Sequence, residues 1–512
     1  MPITTLEMRV LETNSVAMGI PLKLLMEAAG KSVADYIVQN ISLDKTISIL
    51  VLVGKGGNGG DGLVAARYLS RYGYRVEILP AYSFHEIEHP DTLFNYRIVS
   101  KIDSIVIHEP GDLSRIRDTD VIIDALLGTG VKGELKDPIR SIVEKANSVK
   151  AGLKIAVDTP TGLNPDTGEV HGIAFKADVT ITFHDIKPGL INKEEYTGKI
   201  VVANIGIPRE AEIYVGPGDV LHRLPKRPRD AHKGMAGKIA VIGGSDVYTG
   251  APFLTAYSAL ISGADLSYLI IPEEIRVIEA SYSPELITLP YPGSYLSIDS
   301  VDIVVKYIEK YNPHVVAIGP GLGDRSETIE AVKKLLKILL EKNIFIVLDA
   351  DALKAIEYGK DSFNYKVVLT PHRGEFKKIT GVELKNNIWE NASIIEKTAR
   401  DLKAVVLLKA PIDIISNGFK TRLNKTGNPY MTIGGTGDVL TGLTATFLAQ
   451  IKDPFTAACI AAYINGLAGD YLLKKNEKVS PMEIIRVIPQ LLLKPLDIHI
   501  ETYLEKGVKE NA

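Results

Sequence analysis

Ile47-Ser-Ile-Leu-Val-Leu-Val53-Gly54-Lys55-Gly56-Gly57-Asn58-Gly59-Gly60-Asp61-Gly62 is an apolar, β-branched run that breaks into a glycine-rich loop. Such a run reads as a strand buried on both faces of a parallel sheet. The loop then opens a helix, read over Gly62–Tyr72, and Arg75–Leu79 follows as a strand. That geometry points backbone N–H groups and the positive helix end at an anion, usually phosphate. Gly54, Gly56 and Gly59 also satisfy G-x-G-x-x-G, and Glu77 falls where a ribose-binding acid would sit in a dinucleotide fold.

The alternation extends in both directions. Thr4–Met18 and Pro21–Val38 read as amphipathic helices. Val121–Leu127, Lys154–Val157, Val179–Phe183 and Lys199–Asn204 read as strands, with Leu135–Ser148 a helix among them. Repeated βα units predict a parallel sheet with helices on both faces. The pattern stops near Ile207, where a stretch rich in Pro, Gly and charge begins, including Lys226-Arg227-Pro228-Arg229. The basic cluster reads as a solvated connector rather than a nucleic-acid patch. A second α/β series follows, with strands at Lys238–Ile242, Leu266–Ile271, Val315–Ile318, Ile344–Leu348, Val367–Leu369 and Val405–Leu408. Helices are expected at Ala251–Ser262, Glu327–Leu340 and Asp438–Gln450. The expected organisation is a domain over 1–210, a linker over 211–227 and a domain over 228–505.

Composition narrows the function classes. A chain of 512 residues exceeds one ordinary core. Apolar residues make up 46% and charged residues 24%, a globular balance. A formal charge of −3 gives no global field to recruit nucleic acid or an anionic membrane. One cysteine, Cys459, excludes an intrachain disulfide and a Cys-based zinc site. The N-terminus has no basic segment leading into an apolar one, and Phe455–Leu473 is interrupted by Asn465 and Asp470, so neither reads as a signal peptide or a span. A cytoplasmic enzyme is expected, with no membrane or nucleic-acid partner.

Two further loops belong with the first. Asp124 to Glu134 leaves one strand end, and Asp158-Thr-Pro-Thr161-Gly162 leaves the next. Ligands bind outside the carboxyl ends of the strands in open parallel sheets, so the three loops can converge. Asn58, Asp124 and Thr161 would supply hard oxygens, which suit alkali or alkaline-earth cations. Helix capping or loop hydrogen bonding is the alternative role for Asp124 and Asp158.

These loops resemble the NAD(P)H-hydrate epimerase domain of the YjeF N-terminal type. The matching pieces are Leu25-Met26-Glu27-Ala28-Ala29-Gly30, Asn58-Gly59-Gly60-Asp61-Gly62, Gly128-Thr129-Gly130 and Asp158-Thr159-Pro160-Thr161-Gly162. The resemblance implies that Asn58, Gly59, Gly60, Asp61 and Gly62 hold the hydrated dinucleotide. It implies the same for Gly128, Thr129, Gly130, Val131, Lys132, Gly133 and Glu134. Asp158 would contact the hydrated nicotinamide ring as the catalytic proton shuttle, and K+ would lie among Asn58, Asp124 and Thr161. Thr161 stands where the family often has Ser, and the hydroxyl is kept.

Gly434-Gly435-Thr436-Gly437-Asp438 repeats the physics of an anion loop in the second half. Amides of 435–438 form an anion hole at a helix start, and Asp438 beside it can accept a proton from a substrate hydroxyl. Phosphoryl transfer needs that combination. Helix capping is the competing role for Asp438. Together with Lys233-Gly-Met-Ala-Gly237, Val241-Ile-Gly243-Gly244-Ser245 and Pro371-His372-Arg-Gly-Glu375, this loop resembles the ribokinase-like ADP/ATP-dependent NAD(P)H-hydrate dehydratase. The resemblance implies hydrated NAD(P)H near Ala251, Gly323, His372 and catalytic Asp438. ADP or ATP would lie near Lys409, Ala410, Pro411, Ile412, Asp413 and Gly437, with Mg2+ in that domain. Lys409-Ala410-Pro411 departs from the family's Lys-Gly, and Pro411 has no backbone donor.

The expected fold class is therefore α/β, a Rossmann-like three-layer domain followed by a ribokinase-like three-layer α/β/α domain. The expected substrates are NADHX and NADPHX, R and S forms interconverted by one domain and the S form dehydrated by the other. A homo-oligomer is the expected assembly. The alternative is a ribokinase-like vitamin or sugar kinase carrying a dinucleotide-binding sensor domain.

Overall fold

The computed structural model describes residues 2–41, 46–128, 130 and 133–504. Thr129, Val131, Lys132 and the expected domain end at 505 lie outside the described residues. The chain divides into two compact units, Met1–Pro208 and Arg209–Ala512.

The first unit carries seven strands: β1 (Ser48–Val53), β2 (Arg75–Pro80), β3 (Ile105–Ile107), β4 (Thr119–Ala125), β5 (Ala151–Val157), β6 (Val179–Phe183) and β7 (Lys199–Ala203). They lie in the order β3-β2-β1-β4-β5-β6-β7, every pair parallel. The order reverses between β1 and β4, which opens a crevice at their carboxyl ends. Residues 49–53 of β1 and 121–123 of β4 are buried on both faces, as their apolar runs predict.

The second unit carries β8 (Lys238–Ile242), β9 (Leu266–Pro272), β10 (Ile287–Tyr291), β11 (Val315–Ile318), β12 (Phe345–Leu348), β13 (Val367–Leu369), β14 (Val405–Leu408), β15 (Asp413–Ser416) and β16 (Thr421–Asn424). Their order is β10-β9-β8-β11-β12-β13-β14-β15-β16, and only β15 runs against the others, so that its pairs with β14 and β16 are the antiparallel ones. Alternate residues of β8 enter different cores: Ile239 and Val241 on one face, Ala240 and Ile242 on the other. This is a three-layer α/β/α arrangement with a switch point between β8 and β11.

Residues 211–227, read as a linker, are built into the second unit. Arg209–Ile213 and Pro217–Arg223 are helices, and Val215 and Val220 are buried in the second unit's core. The Val215 N–H donates to Leu423 O at 2.9 Å, and Arg422 pairs with buried Asp219 at 3.1 Å. The segment's prolines mark helix starts there: Pro217 opens its helix, a position where a missing N–H costs nothing. Cys459 is free and buried. Among the described residues, no helix is long and apolar enough to cross a membrane.

Candidate active sites

A cavity of about 350 Å³ lies at the carboxyl ends of the first sheet. Asn58, Asp61, Gly128, Gly130 and Asp158 line it, so the three loops do converge. The helix after β1 begins at Gly57, not Gly62. The glycine-rich loop is thus the helix's own first turn, and the N–H groups of Gly57, Asn58 and Gly59 lack intrahelical acceptors. The other glycines serve packing. A Cβ on Gly59 would lie 2.0 Å from Gly54 O, one on Gly60 2.5 Å from Met26 Sδ, and one on Gly62 2.4 Å from Ala125 Cβ. Gly59, Gly60 and Gly62 do not line the cavity, and neither do the exposed Gly133 and Glu134.

Asp158 follows β5 with φ of 62°, a left-handed conformation uncommon outside glycine. Its Oδ1 accepts from Lys187 Nζ at 2.7 Å, Thr182 Oγ1 at 3.2 Å and the Phe183 N–H at 3.3 Å. Lys187 is fully buried and also donates to Phe183 O at 2.8 Å. The carboxyl group is therefore clamped in one orientation. Two more acids share the cavity. Burial, reinforced by the Asp158 carboxylate, pushes Glu12 up to about 7 and Asp61 well above the usual carboxylate range.

Asp124 is fully buried at the end of β4. Its oxygens accept from the Thr161 N–H and Oγ1, both at 2.7 Å, and from the Leu126 N–H at 3.2 Å. Burial pushes it up to about 6, against those hydrogen bonds. Thr161 Oγ1 also accepts from the Leu127 N–H at 3.0 Å. Asn58 stands against the next residue, Gly128, and its Nδ2 is buried without a partner. The Asp124 and Thr161 oxygens lie side by side, hard donors of the kind that alkali and alkaline-earth cations take.

Glu77 is not a ribose acid. It sits mid-strand, with β2 running on to Pro80, and pairs with His108 at 2.8 Å and Arg75 at 3.0 Å. Burial raises it, but the His108 hydrogen bond with Arg117 and Arg75 lowers it further.

The second site forms where β12, β13 and β14 end. Gly435 takes φ of 100° as the cap of the helix Thr436–Ile451, which leaves the N–H groups of Thr436, Gly437 and Asp438 open. Asp438 is half-buried. Burial first, then the neighbouring Asp349 charge, push it up to about 7, with Lys409 pulling the other way. Asp349 is buried and accepts from Lys409 Nζ, Thr370 Oγ1 and Thr441 Oγ1, each at 2.7 Å. Burial would raise Asp349, yet the Lys409 ammonium and these bonds hold it below the ordinary value. Lys409 Nζ also lies 4.0 Å from Glu375. A Cβ on Gly437 would come within 3.4 Å of that ammonium, so cation and open amides adjoin.

A cavity of about 440 Å³ is lined by Lys409, Ala410, Pro411, Asp413 and Gly437. Ile412 is separate, its side chain packed on the core between β14 and its helices. The Ala410 N–H donates to Asp413 Oδ1 at 3.0 Å, and Pro411 has none, so this loop presents no open donor at those two positions. His372 lines a different recess of about 320 Å³ with Asp351 and Glu375, and the Gly323 N–H donates to Asp351 at 3.0 Å. The helix beginning at Gly250 bears Ala251 in its first turn, and its Thr255 Oγ1 donates to Asp438 O at 3.1 Å. His372 is exposed and caps the helix Arg373–Thr380, its Nδ1 accepting from Gly374 at 3.0 Å.

Glu12, Lys187 and Asp349 escaped the sequence reading. Lys187 and Asp349 both follow strands at their carboxyl ends, a signal that was available. Glu12 comes from the first helix, and nothing local marks it.

Two α/β units, each with an open helix start and a carboxylate at the carboxyl ends of its strands, define a two-site enzyme handling phosphorylated ligands. Residues 22–189 match the family described as YjeF-related protein N-terminus, and residues 239–490 match NAD(P)H-hydrate dehydratase. The bifunctional NAD(P)H-hydrate repair enzyme Nnr of Hyperthermus butylicus is 42% identical over 97% of this chain and 93% of its own length. That of Pyrobaculum aerophilum is 41% identical over 96% and 98%. A solved Bacillus subtilis ADP/ATP-dependent NAD(P)H-hydrate dehydratase, co-crystallised with ATP/Mg2+, is 26% identical over 56% of this chain and 98% of its own, with a TM-score of 0.47. The chain belongs to the family of bifunctional NAD(P)H-hydrate repair enzymes.

Proposed function

We propose that the first unit interconverts R- and S-NAD(P)HX, and that the second dehydrates the S form to NAD(P)H at the expense of ADP or ATP. With ADP, the terminal phosphoryl passes to the ring hydroxyl and AMP leaves. The C–O bond then breaks, phosphate departs, and a proton leaves the adjacent ring carbon. The observation that carries the reading is Asp438, half-buried, pushed up to about 7, and set in the first turn of a helix whose amides adjoin the Lys409 ammonium. Asp438 takes the hydroxyl proton, while Lys409 and the open amides hold the phosphoryl oxygens. A base that titrates near neutrality matches that task.

In the first unit, Asp158 moves the proton at the hydrated ring carbon, with its rotamer locked by Lys187. Asn58, Asp124 and Thr161 would hold K+, whose charge would answer the buried Asp124 carboxylate. Mg2+ with the nucleotide would use Asp349 and Glu375 oxygens and the phosphates themselves, since this ion needs only one or two carboxylates beside phosphate. A cytoplasmic homo-oligomer acting on NADHX and NADPHX completes the reading.

The test is direct. Hydrated NADH is mixed with protein and ADP, and dihydronicotinamide absorbance is followed. Recovery of absorbance with AMP release supports the reading. Phosphorylation of vitamins or sugars alone would replace it with the kinase alternative.

A further inference from the structure

The cavity that holds Lys409 and Gly437 has a wall made by the loop from Thr426 to Thr432. That loop is seated on the helix Pro454–Lys474 through contacts that need small residues. A Cβ on Gly466 would lie 2.3 Å from Thr426 Oγ1, and one on Gly469 2.3 Å from Met431 Sδ. The next residue, Asp470, grips the loop from below. Its Oδ2 accepts from the Gly427 N–H at 2.8 Å, and its Oδ1 accepts from Asn428 Nδ2 at 2.9 Å. Asn428 in turn accepts from the Tyr430 N–H at 3.1 Å, which fixes the turn that follows.

Asp470 has a third donor, from far along the chain. The hydroxyl of Tyr503, on the terminal helix Pro495–Tyr503, donates to Asp470 Oδ2. The same helix is anchored again one turn earlier. His499 Nδ1 meets the Tyr463 hydroxyl at 2.9 Å, and its ring stands 4.6 Å from that of Tyr503. Asp470 thus joins the helix Pro495–Tyr503 to the nucleotide cavity, yet lines neither that cavity nor the site of chemistry.

We infer that Asp470, oriented by Tyr503, is a positioning residue that sets the nucleotide-binding wall at Gly427 and Asn428, so that the C-terminal helix tunes affinity for the adenine nucleotide. The inference rests on the reading of this cavity as the nucleotide site. A carboxylate held by three donors has one orientation; with two, it can swing away from the Gly427 amide. Hydrogen bonds to charged groups are among the stronger ones in proteins.

Tyr503→Phe keeps the ring and its stacking on His499 and removes only the donor. Its KM for ADP should rise roughly three- to tenfold, the range for losing one hydrogen bond of ordinary net strength. The turnover number and the KM for hydrated NADH should stay within about twofold of the parent. Asp470→Asn, which sets an amide group against two N–H donors, should raise the ADP dissociation constant further in direct calorimetric titration. An unchanged ADP constant in both variants would overturn the inference. So would parallel loss of every kinetic parameter with a lowered melting temperature, which marks a purely structural role. Failure of the parent protein to bind ADP at all would instead overturn the reading of the cavity and is separable from both.

Discussion

The Asp438 carboxyl group carries opposite consequences for activity and stability. As a base it must lose its proton, so dehydration should rise with pH through about 7 along a single titration and level above it. Its folded value stands above the ordinary 3.8, so the folded state binds the proton more tightly than the unfolded chain. Stability is unaffected below about pH 4 and falls as pH rises toward 7. Asp438→Asn should therefore raise the melting temperature at pH 8, leave it unchanged at pH 3.5, and lose dehydration by at least about 10²-fold. Equal melting shifts at both pH values would show that the group is not destabilised by burial. Asp158 supports a matching experiment in the other unit. Asp158→Ala should leave R-NADHX unconverted beyond the spontaneous rate while dehydration of supplied S-NADHX continues, monitored by separating the epimers.

At the scale of elements, the glycine-rich loop after β1 shows how far sequence carries and where it stops. Its position after a buried strand announced a helix start, and the structure has one at Gly57. What could not be read was which glycines face the ligand. Of the motif glycines, Gly54 and Gly59 are required because a Cβ would strike backbone, and Gly62, outside the motif, because a Cβ would strike Ala125, whereas Gly56 meets nothing; this is a property of the three-dimensional approach. Gly62→Ala would place a Cβ 2.4 Å from Ala125 and should cost about 1–3 kcal/mol, seen as a lowered first unfolding transition in calorimetry. Gly130→Ala meets nothing within 4 Å and should leave that transition in place. The strands β15 and β16 were missed for a related reason. They are four residues each and carry polar residues, so only the antiparallel pairing of β15 with β14 and of β16 with β15 identifies them. The supposed linker was missed because proline and glycine mark helix starts as readily as they mark connectors, and Val215 and Val220 reveal their burial only in the fold.

At the scale of the whole molecule, each site is complete within its own unit. Among the described residues, those lining the first cavity come before Pro208 and those lining the second after Arg209. Each proposed chemistry therefore draws its catalytic acid from its own unit. The unit that equilibrates the epimers then serves the dehydrating unit through the concentration of free S-NADHX. A mixture of full-length Asp158→Ala and full-length Asp438→Ala should consequently convert R-NADHX completely to NADH with ADP present, although neither variant does so alone. The rate should depend on the amounts of both proteins, as expected for a diffusing intermediate. If the mixture converts only the S form, while each variant keeps its remaining activity in separate assays, the intermediate passes within one chain and the sites are coupled.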